Sequence, residues 1–201
     1  MSINVCNDRS MASITSLPSG VSGSSLVLLS EQTASSSATI DFTSDIDSTY
    51  KEYQFHFIDI HPATNTASFT FQADTGTNTN YNQTITSTSF LSQHDEGDSA
   101  TSLAYNGAKD QAQGTAFHTL LNEIGNGNDE CGTGILTLFD PSNTTVIKHW
   151  IARTSNYQSD DYIQDRFFAG YFNTTTALTR VRFKMSSGNI DAGTIKMYGV
   201  L

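Results

Sequence analysis

From Leu178 to Leu201 the chain alternates apolar and polar residues in two successive runs. Val181, Phe183 and Met185 alternate with Arg180, Arg182 and Lys184. After Ser186-Ser-Gly-Asn189, Ile195 and Met197 share a face opposite Lys196 and Tyr198, with Gly199 continuing their side. A period of two places every second side chain on one face, as in a half-buried antiparallel strand. Two such runs around a four-residue turn predict a terminal β-hairpin, with the C-terminus held inside a sheet.

The rest of the chain repeats the pattern. Ser25–Ser30 reads as a short buried strand, and Ala38–Phe42 turns Ile40 and Phe42 inward. Tyr53, Phe55 and Phe57, with Asp59 next in phase, lie opposite Gln54, His56, Ile58 and Ile60. A strand apolar on much of both faces belongs in the middle of a sandwich, and Pro62 ends it. Phe69 and Phe71 mark the next strand, followed by a polar loop over 74–80 and a Thr-rich strand over Tyr81–Leu91. Leu103 and Tyr105 seed a short strand. Thr115–Ile124 fits a helix through Phe117, Leu120, Leu121 and Ile124, or a strand less well. Strands resume at Gly134–Phe139, Thr145–Thr154 and the aromatic-rich Tyr162–Phe172. No fixed repeat and no α/β alternation appear. The expected fold is all-β: an antiparallel two-sheet β-sandwich, jelly-roll-like, of about ten strands. Residues 1–24, rich in Ser and Gly, read as an N-terminal arm or extended lead-in, and 25–201 as the sandwich domain.

Composition narrows the setting. Ser, Thr and Asn make up about a third of the chain and charged residues only 15%, the balance of a β-rich surface protein whose outward positions are hydroxylated. The net charge of −10 repels phosphate backbones and anionic membranes, so neither nucleic acid nor membrane insertion is expected. No run approaches the roughly 20 apolar residues of a spanning helix. The first residues do not read as a signal peptide, so synthesis and folding in a cytoplasm are expected. Cys6 and Cys131 are too few for a disulfide framework and read as free thiols.

Candidate chemistry is sparse. No Gly-x-Ser-x-Gly elbow occurs, and His118 and His149, in apolar-patterned segments, read as packed histidines. His56 and His61 lack nearby Cys for zinc. Calcium fits better: Asp95, Glu96 and Asp98 crowd one turn, and Asp160, Asp161 and Asp165 another, as hard oxygen ligands on loops. Neither turn has EF-hand spacing, and a solvated acidic turn is the competing reading. No catalytic residue and no cofactor is expected, calcium being the one candidate. Paired carboxylates for glycoside hydrolysis are not evident at inward positions. Trp150, Tyr157, Tyr162 and Tyr171 are candidate sugar-contact residues, although sandwich aromatics usually pack the core.

Several stretches carry a family likeness. Ile14–Pro18, Glu31–Ile40, Ile46–Tyr53, His61–Ala63, Phe139–Thr145, Ala169–Asn173 and Lys184–Ile190 resemble stretches of small β-sandwich virion proteins of tailed bacteriophages of aquatic bacteria. The likeness spans nearly the whole chain beyond about residue 12. It implies a non-enzymatic virion structural protein, a fibre or decoration on the capsid or tail, acting through assembly contacts. It also implies a homotrimer located on the virion, touching other virion proteins. The alternative is a carbohydrate-binding module of a tail fibre that recognises a host-surface glycan.

Overall fold

Each alternating run becomes a strand, and the structure, a computed structural model, describes residues 25–201. The expected arm at 1–24, and Cys6 within it, lie outside the described residues. In chain order the strands are β1 (Leu26–Thr33), β2 (Ile40–Phe42), β3 (Glu52–Pro62), β4 (Ala67–Thr75), β5 (Ile85–Asp95) and β6 (Thr101–Tyr105). Then follow β7 (His118–Ile124), β8 (Gly132–Phe139), β9 (Lys148–Gln158), β10 (Tyr162–Phe172), β11 (Leu178–Met185) and β12 (Ile190–Val200). There is no helix among the described residues. Thr115–Ile124, which fitted a helical period, is a strand from His118: its Leu120 and Leu121 are both buried, because the strand is covered on both sides.

All pairings are antiparallel, and they join twelve strands into one barrel-like network. One run reads β1-β12-β3-β8-β9-β10-β5-β6 and a shorter one β7-β4-β11-β2. They meet at β7 and β9 through a single pair, Ile124 with Gln158. The far ends nearly close as well, where the Gln32 side-chain amide donates to the Asp41 carbonyl at 2.7 Å.

The terminal hairpin does not form. β11 pairs with β4 and β2, whereas β12 pairs with β3 and β1. The Ser186–Asn189 link is an arch across the core, with Gly188 at φ +68°, a region that favours glycine. The physical reason lies in the apolar faces: those of β11 and β12 look at the same interior from opposite sides. Phe183 of β11 meets Phe55 and Phe57 of β3, the neighbour of β12, at 5.4 and 5.3 Å between ring centres. Phe42, Phe69 and Phe71 complete the cluster around it. Each of these rings is almost fully buried, a contribution of about 1.5–3 kcal/mol apiece.

One strand's phase and another's boundary also move. β3 carries a bulge, with Asp59 at φ +52° and a register shift between Phe57 and Ile60. The bulge flips the alternation, so Ile60 is buried and Asp59 exposed, the reverse of strict phase. β5 begins at Ile85 instead of Tyr81. Tyr81 is buried, its N–H donates to the Asp74 carboxylate at 2.8 Å, and the Arg182 guanidinium lies 4.1 Å above its ring. Gln72 reaches the carbonyls of Gln83, Thr115 and Ala116. These polar ties hold the flanking loops near β4 and explain why nearly all of that strand is buried.

Candidate functional site

Strands that are apolar on both faces must leave apolar side chains in solvent wherever nothing covers the second face. That happens along the outward side of β3, β8, β9, β10, β5 and β6. Pairing aligns His56 with Ile135, Ile135 with Arg153, Arg153 with Phe167, Phe167 with Phe90 and Phe90 with Tyr105. A second row sets Gln54 beside Thr137, then Ile151, Ala169 and Thr88. Ile135, Ile151, Phe90 and Tyr105 are 42%, 49%, 43% and 61% exposed. With neighbouring strands about 4.8 Å apart, the row runs roughly 24 Å across the sheet. Exposed apolar side chains grouped in this way around Arg153 mark an interaction surface better than scattered exposed residues do.

Two grooves indent this face. One, of about 550 Å³, runs between His56, Ile58 and Arg153; the other, of about 500 Å³, between Gln54, Phe90 and Ile151. Ile135 and Arg153 border both. The Phe90 and Phe167 rings stack at 4.9 Å and 5°. Arg153 lies 4.8 Å above Phe167 and donates two hydrogen bonds to Asp165, at 3.2 and 2.8 Å. That pairing raises the guanidinium pKa above its ordinary value. The cation is therefore fixed in place, held by a carboxylate on one side and a ring face on the other. At the rim His56 packs on Tyr198, and burial lowers its pKa, favouring the neutral ring.

The two acidic turns do come together. The Glu96 N–H donates to the Asp161 carbonyl at 3.0 Å, and Asp95 pairs with Tyr162 across β5 and β10. No more than two of their carboxylates meet: Asp161 and Glu96 both act on the Tyr157 hydroxyl. Asp95 accepts hydrogen bonds from the Ser99 hydroxyl and from the Ser99 and Ala100 N–H groups, which lower its pKa. Asp165 is bound to Arg153, Asp161 accepts from the Tyr157 hydroxyl at 3.0 Å, and Asp98 faces His94. Glu96 and Asp160 are exposed. Among the described residues no group of three or more His, Cys, Asp or Glu side chains is placed to hold a metal ion. The first turn is capped by Asp95, and the acids of the second are tied to Tyr157 and Arg153.

The four aromatic candidates separate. Trp150 is fully buried, edge-on to Phe71 at 5.0 Å and to His118 at 4.8 Å, so it cannot contact a sugar. It occupies an inward position of β9, where strand parity sends it to the core. Tyr157 and Tyr162 sit at the turn joining β9 and β10. Burial and the Asp161 carboxylate raise the Tyr157 pKa. Tyr171 lies at the far end of β10, nine residues and about 30 Å from Tyr162, against His149. His149 is exposed, not packed. His118 is buried; its Nε2 meets the Ser87 hydroxyl at 2.8 Å, and burial lowers its pKa to about 4. The same hydroxyl accepts the Gln111 N–H at 2.9 Å, and no carboxylate bonds His118 Nδ1. This is a core pair closed to solvent.

The stacked aromatics of the face, exposed Phe90 and half-buried Phe167, were not singled out from sequence. A signal was present: in an alternating strand, the adjacent Phe167 and Phe168 must send one ring outward. No protein family, curated protein or solved structure matches the chain.

Proposed function

We propose that the protein works by contact, as a structural protein on the surface of a tailed-bacteriophage particle, fibre or decoration. Its sequence stretches support that setting, and the exposed row from Ile135 to Tyr105 supports the mode of action. In this reading the outward face seats a neighbouring virion protein, and copies of the chain associate, as a trimer by the family likeness. The strands form two leaves, an eight-stranded run packed on a four-stranded one in a jelly-roll-like sandwich. The single backbone pair between β7 and β9, whose other ties are side-chain hydrogen bonds, and the packing of Phe183 against Phe55 and Phe57 favour it. The test is incorporation into particles of Ile151→Glu and Phe90→Glu variants. Both should fold with unchanged circular dichroism, because the side chains are already half in water, and both should be depleted from purified particles. Full incorporation of both would remove this face from assembly.

A second reading is a glycan-binding module. The stacked Phe90–Phe167 pair beside a fixed Arg153 offers an apolar platform with a polar rim, the layout of many ligand sites. Glycan-array binding that is lost in Phe167→Ala would favour it over the assembly reading.

A further inference from the structure

Sheet edges are where unpaired backbone groups meet solvent, and proteins usually guard them with charge, bulges or brevity. Three strand edges can be compared. β2 is three residues long, and its Asp41 is held by Arg182 in a bidentate pair at 2.7 and 2.6 Å. β1 has a bulge between Leu28 and Ser30 and carries Glu31. β6 has no such guard. Its sequence is Thr101-Ser-Leu-Ala-Tyr105, with no charge and no proline, and it closes the eight-stranded run with β5 on one side only.

The direction of its free backbone groups follows from the register. The Asp95 N–H donates to the Ala100 carbonyl, and the Asn106 N–H to the Ser89 carbonyl. Antiparallel bonding alternates, so Ser102 and Ala104 also face β5, while Thr101, Leu103 and Tyr105 turn their N–H and C=O groups outward. These three are symmetric about Leu103. Leu103 itself is 78% exposed.

We infer that β6 is the docking edge for β6 of a second copy, antiparallel about a two-fold axis at Leu103. Leu103 then pairs with Leu103 of the other copy, and Thr101 with Tyr105, each pair exchanging two backbone hydrogen bonds. A strand without charge can meet itself even in a chain of net charge −10. The axis also lays the turn of one copy that carries Glu96 and Asp98 beside the Asn106–Asp110 turn of the other, where Lys109 is offset by Asp110, itself bonded to the Tyr105 hydroxyl. A two-fold contact uses up the edge on both copies and cannot grow further. The inference deepens the self-association reading by naming one contact and its symmetry. Combined with a three-fold contact elsewhere, it makes the copy number even.

The experiment is light scattering on the full chain, with Leu103→Pro and Leu103→Lys. Proline at Leu103 leaves the β5–β6 bonds intact, since that N–H points away from β5, yet it removes the central donor of the new pair. Lysine sets two like charges opposite each other and keeps the fold even if proline does not. The expected result is an even number of copies in the parent chain and half the molar mass in either folded variant. Leu103→Cys in a background of Cys6→Ser and Cys131→Ser should form a covalent dimer on mild oxidation, because paired Cα atoms about 5.5 Å apart can be bridged. A trimer unchanged by Leu103→Lys would overturn this contact and leave self-association standing. A monomer at all concentrations would overturn both.

Discussion

Gly170 and Trp150 face each other across β9 and β10, and the fit leaves no room for a methyl group. A Cβ on Gly170 would lie 2.5 Å from Trp150 Cζ2 and 2.9 Å from the Thr86 carbonyl oxygen. Gly170→Ala should therefore destabilise the protein by about 1–3 kcal/mol through overpacking. Because Trp150 is the chain's single tryptophan, its fluorescence reports on the site directly, and the emission should move to longer wavelength. Beside it, His118 imposes a pH dependence. Its folded-state pKa is depressed to about 4 from 6.5. Between those values the unfolded chain takes up a proton that buried His118 refuses, so stability falls as pH drops through this window, by ~3 kcal/mol at most. Urea unfolding at a series of pH values should show this slope in the parent and a clearly shallower one in His118→Gln, the remainder coming from His56, whose pKa burial also lowers. The depressed carboxylates Asp47, Asp95 and Asp140 act elsewhere: their contribution is present above 3.8 and is lost only below it.

At the level of elements, β12 is an interior strand. It pairs with β1 on one side and β3 on the other, and it buries Ile190, Ile195 and Met197. Deleting residues 193–201 removes two core side chains at about 2–5 kcal/mol each and unpairs two neighbours. That loss rivals the whole stability of a domain, about 5–15 kcal/mol. The truncated chain should be unfolded or aggregated, with no cooperative melt by circular dichroism; a cooperative melt would mean that β1 and β3 can close without it. Arches impose a similar dependence. β3 and β4 are joined by a short link but do not pair, and neither do β11 and β12. Each link therefore carries the chain across the core, and a break there separates apolar faces that meet in Phe183.

For the whole molecule the governing numbers are the charge of −10 and an outward face with little charge on it. On the proposed self-association, copies would repel at long range and attract at short range through apolar rows and open edges. Salt shortens the repulsion, with a Debye length of about 10 Å at 0.1 M and about 3 Å at 1 M. Self-association should thus strengthen as salt is raised, measured as sedimentation-average mass across a sodium chloride series. Association dominated by ion pairs between copies would weaken instead.

Local sequence determined which segments are strands and which side of each is apolar. Phe55, Phe57, Phe69, Phe71, Val181, Phe183 and Met185 are inward as alternation requires, because the period of two is a property of the extended backbone itself. The two doubtful stretches, at Leu103–Tyr105 and Thr115–Ile124, became β6 and β7 through pairing with β5 and β4, which no local pattern encodes. Partners, too, were decided by tertiary structure: two adjacent alternating runs can fold as a hairpin or as an arch, and only the shared core selects the arch for β11 and β12. The same holds for the site. Carboxylates close in sequence formed no cluster of three, since Asp95 caps its own turn, Asp165 meets Arg153 and Asp161 takes the Tyr157 hydroxyl. Phe90, Phe167, Arg153 and Ile135, far apart in the chain, became neighbours because strand order and register put them in one row.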